Sequence, residues 1–469
     1  MRGLSRKSSC TLLLAGTLAL SACVLRDPPD HATLTEGALG EPGKPPPAWV
    51  ERGGESGAIL ADWLPTFHEP ALEALVQEAL VQNADLRAAV ARVEQAQSAL
   101  DIAAGALWPT VSLLGKAGGK SGSESIRGGL IAASWELDLW GRLRYAKRAA
   151  RNDYASMQAD YVYARQSLAA TVAKAWFTAA EASEQLKIAH EILASSEKLV
   201  DLATLNMKVG SGTELEVALA DANVQTYKDS VRQLDLARAQ ALRALEILAG
   251  RYPAAALQAS EALPVLPPAV PVGVPSELLE RRPDVVAAER RVAAAFDRVG
   301  EAKAARLPTI SLGLGVSWIN SDLFILKDSD NPRVGGSASG ALPLVTGGRL
   351  AANVELRNAE QREAVARYAS IGLKAFSEVE AALANETALG DRQVLNERLV
   401  QDNARVRKLS ETRYRVGSGD FRDVLNDDLR LAASRTQLVT IRAQRLAQRV
   451  NLHLALGGGY GVADSVGAR

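Results

Sequence analysis

The sequence predicts a mainly α-helical chain that also carries membrane β-strands, built as two copies of one long helical hairpin. Three observations carry this prediction. Residues 85–113 align without gaps on 284–312, and 12 of the 29 pairs are identical. Each copy also holds a 68-residue stretch with few helix breakers: 142–209 has no Gly or Pro, and 349–416 has no Pro and only Gly372 and Gly390. Beyond residue 23 no apolar run reaches the ~18 residues of a transmembrane helix. Any membrane crossing must therefore be made of strands.

The first 23 residues read as a processing segment. Arg2, Arg6 and Lys7 form a basic region, and TLLLAGTLAL at 11–20 forms an apolar one. Leu20-Ser21-Ala22-Cys23 follows and resembles the bacterial lipobox, in which the cysteine is acylated and becomes the first residue of the mature chain. The next residue is Val24, not Asp, which by analogy with lipoprotein sorting directs the chain to the outer membrane. Acyl chains contribute ~0.8 kcal/mol per buried CH₂. Residues 24–48 are rich in Pro, Gly and Asp and read as a flexible tether.

The first copy opens with 71–104, a breaker-free run of 34 residues. Strands follow at about 109–118 and 128–138, then the long stretch 142–209, then a 37-residue return at 213–249. A 68-residue helix spans about 100 Å at 1.5 Å per residue, so the return helix and the opening run together are needed to line it. The second copy repeats the plan with 284–307, strands at about 310–318 and 333–343, the long stretch, and a return at 420–456. Past the strands the repeat offset changes from 199 to 207, which puts eight extra residues between the second pair of strands. Residues 310–318 alternate large apolar side chains with Ser or Gly. About nine to eleven tilted residues suffice to cross a bilayer in a barrel. Four strands cannot close a barrel alone, whereas three chains supply twelve. Read without a membrane, the same strands are two soluble hairpins.

Near the hairpin ends both long helices carry a 3.5-residue rhythm. The stripes are Ile188, Ile192, Ser195, Leu199, Leu202, Asn206, Val209 and Leu395, Leu399, Asp402, Val406, Leu409, Arg413, Val416. This is the spacing of a coiled coil, with polar interruptions that suggest a partly wet seam. Both hairpins close on the same turn, Val209-Gly210-Ser211-Gly212 and Val416-Gly417-Ser418-Gly419.

Composition narrows the function. Lys+Arg and Asp+Glu both number 54, without the basic excess of a nucleic-acid binder. Apolar residues reach 47% but aromatics only 5%, an Ala-rich balance that suits closely approaching helices. The two cysteines, Cys10 and Cys23, both lie near the N-terminus, so no disulfide framework is expected in the mature chain. His31, His68, His190 and His453 show no metal-ligand spacing. Met157 and Met207 are the only methionines after Met1, too few to suggest a thioether-lined metal path. No nucleotide motif and no catalytic constellation stands out, so neither a cofactor nor an enzymatic reaction is expected.

Three passages resemble the TolC-type outer-membrane efflux channels, in particular the NodT-like lipoprotein branch that serves RND pumps. They are WLPTFHEPALEALVQEALVQNADLRAAVARVEQA from Trp63, WELDLWGRLR from Trp135, and VPVGVPSELLERRPDVVAAERRVAAA over 270–295. The resemblance implies a homotrimer with a twelve-stranded β-barrel and a twelve-helix α-barrel. It also implies a periplasmic adaptor (membrane-fusion) protein and an inner-membrane pump as partners, with the chain as a passive exit duct for drugs or other small molecules. Expected divisions are a signal peptide at 1–22, a lipid-anchored tether at 23–60, a first repeat at 61–255, a Pro-rich linker at 256–275, a second repeat at 276–457 and a tail at 458–469. The alternatives are a periplasmic coiled-coil structural lipoprotein and a TolC-like duct for another exporter class. Residues 296–298, Phe-Asp-Arg, depart from the family's usual Asn-led segment.

The resemblance also locates a gate. Asp423 falls on one of the family's pore-narrowing carboxylates, and Asn426 falls where a second Asp is usual. Arg422 takes a position that is apolar in some relatives, and Glu216 is the repeat equivalent of Asp423. Three Asp423 carboxylates around an axis would repel one another, an effect Arg422 would offset. Asp420 and Asp423 also suit a helix N-terminus on dipole grounds alone. The two VGSG turns are candidate adaptor contacts, although glycine there also serves simply to close a turn.

Overall fold

The computed structural model describes residues 25–51, 62–120, 124–321 and 333–459. Cys23 and the segment before it, and most of the C-terminal tail, lie outside the described residues. The chain divides into two compact units. One takes in the N-terminal segment through Lys44 with Ala91–Ala159 and Val286–Ile371, and the other Pro45–Val90, Asp160–Val285 and Gly372–Arg469.

The helices are α1 (His31–Leu39), α2 (Pro70–Gln82), α3 (Ala84–Gly105), α4 (Arg142–Lys208), α5 (Glu214–Leu248), α6 (Pro275–Arg281), α7 (Pro283–Ala304), α8 (Arg349–Arg415) and α9 (Phe421–Ala455). The strands are β1 (Thr110–Lys120), β2 (Glu124–Leu137), β3 (Thr309–Ser321) and β4 (Arg333–Ala341). The long helices α4 and α8 are 67 residues each, about 100 Å at 1.5 Å per residue. Their ends fall where glycine and proline punctuate the sequence, and Gly372 and Gly390 do not interrupt α8.

The first unit holds one antiparallel sheet in the order β1-β2-β3-β4. Its register pairs Thr110 with Ser134, Leu130 with Ser317 and Thr309 with Ala341. β2 and β3 run further than their side-chain alternation indicates, because the ladder is made by backbone groups and continues through Gly and Ser. The alternation in β3 has its expected result: Leu312 and Leu314 are exposed, and Gly313 and Gly315 alternate with them. β1 and β4 are both free edges. The motif WELDLWGRLR joins this sheet to α4. The Trp135 Nε1–H donates to the Leu107 carbonyl at 3.0 Å and Trp140 Nε1–H to the Pro308 carbonyl at 2.6 Å. Asp138 accepts from the first N–H groups of α4, those of Leu143 and Arg144, both at 3.0 Å, and Arg142 pairs with Glu136 at 2.7 Å.

The tether reading of 24–48 is corrected over part of its length. Residues 31–39 form α1, capped by Asp30, whose side chain accepts from Thr33 N–H. Leu34 is buried, His31 pairs with Glu289 on α7 at 2.7 Å, and Thr35 bonds the Tyr368 hydroxyl at 2.8 Å. A compositional rule for linkers misses this because one buried leucine and two polar contacts to α7 and α8 dock the segment. In the same unit the unusual 296–298 segment finds partners. Asp297 is fully buried against Arg148 and Asn152, and Arg298 pairs with Asp153.

The core of the second unit gathers Trp63, Phe67, Leu72, Val76, Trp176 and Phe177 around Ala169, Ala170 and Ala173 of α4. The alanines leave room for the aromatic rings, and Trp63 stacks on His453 with centroids 5.6 Å apart. The opening run 71–104 breaks at Asn83. Its side-chain oxygen accepts from Leu86 N–H to start α3, while its amide donates to the Leu248 carbonyl at the end of α5. Gly250 closes α5 with φ of 73°, and a Cβ there would lie 2.8 Å from the Gln82 carbonyl oxygen, so only glycine fits.

The Pro-rich linker is held at its start and at its middle. Glu246 accepts from the N–H groups of Ala255, Ala256 and Leu257, and Arg449 donates to the carbonyls of Pro267 and Pro268. Arg282, from the PSELLERRPD motif, is buried and binds Asp284, Glu378 and the Ala455 carbonyl. Burial opposes its charge, but the two carboxylates outweigh that and raise its pKa. The most distinctive family-like motif is thus a clamp on the ends of helices.

One stripe is corrected. On α4, Ile188 and Leu199 are buried as the rhythm predicts. On α8, Leu395, Leu399, Val406, Leu409 and Val416 are all exposed. The face of α8 turned into its own chain is polar and runs through Asn403, Arg407, Ser410 and Tyr414. Periodicity marks a seam without saying which chain fills it.

Candidate functional site: the helical tips

At the tip of the first hairpin α4 ends at Lys208 and α5 begins after Thr213. Gly210 has φ of 79°, and in the second hairpin Gly417 has φ of 77°. The two turns share one bonding pattern, with Ser211 N–H donating to the Asn206 carbonyl and Ser418 N–H to the Arg413 carbonyl, both at 2.9 Å. The sequence repeat is therefore a repeat of backbone geometry. Val209 and Val416 are 68% and 72% exposed, and Leu205 and Leu215 are exposed beside the first turn. The VGSG residues thus stand at solvent-facing apolar tips.

The four gate candidates separate into two kinds. Glu216 lies inside a capping box: it receives Thr213 N–H while Thr213 Oγ1 receives its own N–H, both at 3.3 Å. It also accepts from the Tyr414 hydroxyl at 3.4 Å. Arg422, Asp423 and Asn426 are exposed on one face of α9, where spacings of three and four residues bring side chains together. Asp420 caps α9 by accepting from Arg422 N–H at 2.8 Å, and Asp423 occupies the first turn, which suits the helix dipole.

Sequence reasoning missed Tyr414. It is buried, and its ring packs on Phe421 with centroids 5.0 Å apart. Its hydroxyl also receives the Asn206 amide at 3.1 Å, so it ties the second hairpin to the first. A usable signal was its place just before the second VGSG turn, where the repeat equivalent is Met207. Burial pushes the Tyr414 hydroxyl pKa up, with the Glu216 carboxylate adding to it.

Asp427 and Asp428 were also missed as buried acids. Asp427 accepts from Ser410 Oγ at 2.5 Å. Asp428 meets Arg407 at 3.3 Å, and Arg407 also binds Glu411 at 2.7 Å and Ser195 Oγ at 3.0 Å. Burial pushes the Asp428 carboxyl upward against the pull of Arg407. One guanidinium thus links α4, α8 and α9 behind the tip. Among the described residues no cluster of His, Cys, Asp and Glu suits a metal ion. No helix among them is long and apolar enough to cross a membrane.

Comparison with known proteins places this geometry in context. The sequence profile described as "Outer membrane efflux protein" matches residues 75–251 and 274–458. The chain is 32% identical over 469 residues to the pyoverdine export outer membrane protein OpmQ of Pseudomonas putida, covering 96% of this chain and 97% of that one. It is 29% identical over 412 residues to the cation efflux system protein CusC of Escherichia coli, covering 85% and 88%. Its fold resembles the outer membrane protein VceC of Vibrio cholerae with a TM-score of 0.80 at 26% identity, covering 86% of this chain and all of the other.

Proposed function

The chain belongs to the outer membrane efflux proteins, and from that premise we propose that three copies form the exit duct of a tripartite efflux pump. The sheet carries this reading. It has four strands and, among the described residues, leaves the outer edges of β1 and β4 unpaired, and a bilayer offers no water to satisfy such edges. Joining β4 of one copy to β1 of the next closes the ring, and three copies give twelve strands. The exposed stripe on α8 supports the same assembly, because another copy can cover it.

In this reading Cys23 is acylated and holds the N-terminus at the outer membrane, while the helical hairpins extend into the periplasm. The partners are an adaptor protein and an inner-membrane pump, of the RND type. The duct performs no chemistry of its own, and the pump supplies the energy. Arg422, Asp423 and Asn426 of three copies meet near the axis and keep the tip narrow at rest. Val209–Gly212 and Val416–Gly419 receive the adaptor. The name of OpmQ refers to pyoverdine export and that of CusC to cation efflux, which fits a conduit whose cargo is chosen by its pump.

The test uses the single-cysteine background that the mature sequence provides. Cysteines replace Val111 on β1 and Val334 on β4, both exposed, and a bis-maleimide linker is added to outer-membrane fractions. Covalent trimers are expected from the double variant and not from either single one. A product that stops at dimer, or none, would sink the twelve-stranded ring.

A further inference from the structure

The first described residues of the chain are fixed on α4 and the turn before it. Leu25 lies over Gly141, where an added Cβ would come within 2.5 Å of the leucine side chain. Arg26 N–H donates to the Tyr145 hydroxyl at 2.9 Å, and Asp27 pairs with Arg148 at 3.1 Å. The Tyr145 ring in turn closes on Gly300 of α7, where a Cβ would lie 2.6 Å from a ring carbon.

These contacts wall a hollow of about 480 Å³ in unit one, to which α8 adds Gln361. Leu25, Trp140, Tyr145 and Phe296 give it apolar surfaces, and Arg26 and Lys303 bring two cationic groups. Both cations are exposed. Among the described residues neither has an ion-pair partner, and the lining holds no Asp or Glu. The hollow thus carries two uncompensated positive charges beside an apolar wall.

Its level in the fold is defined. β2 ends at Leu137 and α4 begins at Arg142, while α7 ends at Ala304 and β3 begins at Thr309. The hollow therefore lies where strands give way to helices. Trp108, Trp135 and Trp140 belong to the same junction, and each is more than a third exposed. Tryptophan concentrates at the boundary between membrane and water. In the channel reading above, on which this step rests, the strands cross the bilayer and the junction meets its periplasmic face.

We propose that this hollow holds one glycerophospholipid of the adjoining leaflet per copy, with its phosphate on Arg26 and Lys303 and its upper acyl carbons against Trp140 and Phe296. Basic pockets at helix ends facing a membrane suit anionic headgroups. A free phosphate would leave the apolar wall unused, and the acyl chain of the protein's own anchor would leave the two cations unused. A phospholipid satisfies both. Bound there, it fixes the depth at which the strands sit in the bilayer.

The experiment uses the full-length protein, purified in detergent and stripped of lipid, with phosphatidylglycerol as the probe. Native mass spectrometry reads the lipid bound per chain through a titration. Wild type is expected to take up one phosphatidylglycerol per chain and to bind it more tightly than phosphatidylcholine, whose headgroup adds a positive charge. Arg26→Gln with Lys303→Gln should lose about tenfold in affinity. Lys198→Gln, on α4 but outside the lining, should match wild type. Binding that is absent, or equal in wild type and the double variant, overturns the site. Displacement by inorganic phosphate overturns it in favour of a free-anion site. Binding seen only in protein whose Cys23 is not acylated assigns the hollow to the protein's own anchor instead. Variant-sensitive binding by protein that opens no pores in planar bilayers removes the channel reading and leaves the lipid site standing, whereas pores without such binding remove the lipid site alone.

Discussion

Asp297 is the residue whose chemistry departs furthest from its ordinary state in the first unit. Its side chain is fully buried, and burial pushes its pKa up to about 6 against the opposing pull of Arg148 and Asn152. A carboxyl whose pKa is raised on folding binds its proton more tightly when native. Its stabilising protonation is complete below the unfolded value of 3.8 and is lost as pH rises through about 6. Asp297→Asn removes this titration. The urea midpoint of wild type relative to that variant should rise as pH falls from about 7 to 4.5, by the equivalent of ~1–3 kcal/mol. A difference that stays flat would show that the carboxyl titrates normally. Position 297 stands out in the sequence as a departure from the family pattern. Its burial does not, because Arg148 and Asn152 lie almost 150 residues away along the chain.

Tyr414 gives the tip its own residue-scale test. Tyr414→Phe keeps the ring against Phe421 and removes the hydroxyl that meets Asn206 and Glu216. The loss costs about 1 kcal/mol of local stability and should raise the conductance of reconstituted channels. Asp423→Ala combined with Arg422→Ala should also raise it, since both side chains stand exposed on one face of α9 at the tip. Unchanged conductance in the double variant removes these two residues from the gate. The family motif points to Asp423, whereas Tyr414 acts through contacts that the tertiary fold alone creates.

At the scale of elements, helix ends were easier to read than helix faces. Gly210 and Gly417 marked the hairpin turns because positive φ excludes other residues at little cost in ambiguity. Asn83 was not legible as a break, since no Gly or Pro stands there. It stops α2 by serving two helices at once, capping α3 with its oxygen and α5 with its amide. Asn83→Ala should therefore cost about 2 kcal/mol, the sum of a lost N-cap and a lost buried hydrogen bond. Asn83→Asp retains the oxygen and should recover about half of that. Equal losses in both variants, measured by denaturant unfolding, would mean that only the amide matters. The tether reading failed at 31–39 for the same reason: local composition reports chain stiffness, whereas burial of Leu34 and the pairing of His31 with Glu289 order the segment.

For the whole molecule, the decisive surface is one the single chain leaves open. The 3.5-residue rhythm on α8 marks an apolar stripe, and the chain turns its polar face inward and that stripe out. Burying a leucine contributes about 1.5–3 kcal/mol, so Leu395, Leu399 and Leu409, each about half exposed or more, represent a large unrealised gain that only assembly can recover. Charges at these positions separate folding from assembly, because about half or more of each side chain is open in the single chain. Leu399→Glu with Leu409→Glu should keep the helical circular-dichroism signal of wild type. It should also abolish the trimer band in mild detergent and the conductance with it. Trimers that survive both charges would assign the stripe to the lumen or to the adaptor and leave closure to the strands alone. Loss of helix signal together with the trimer would instead mean that α8 cannot stand without its neighbours in the ring.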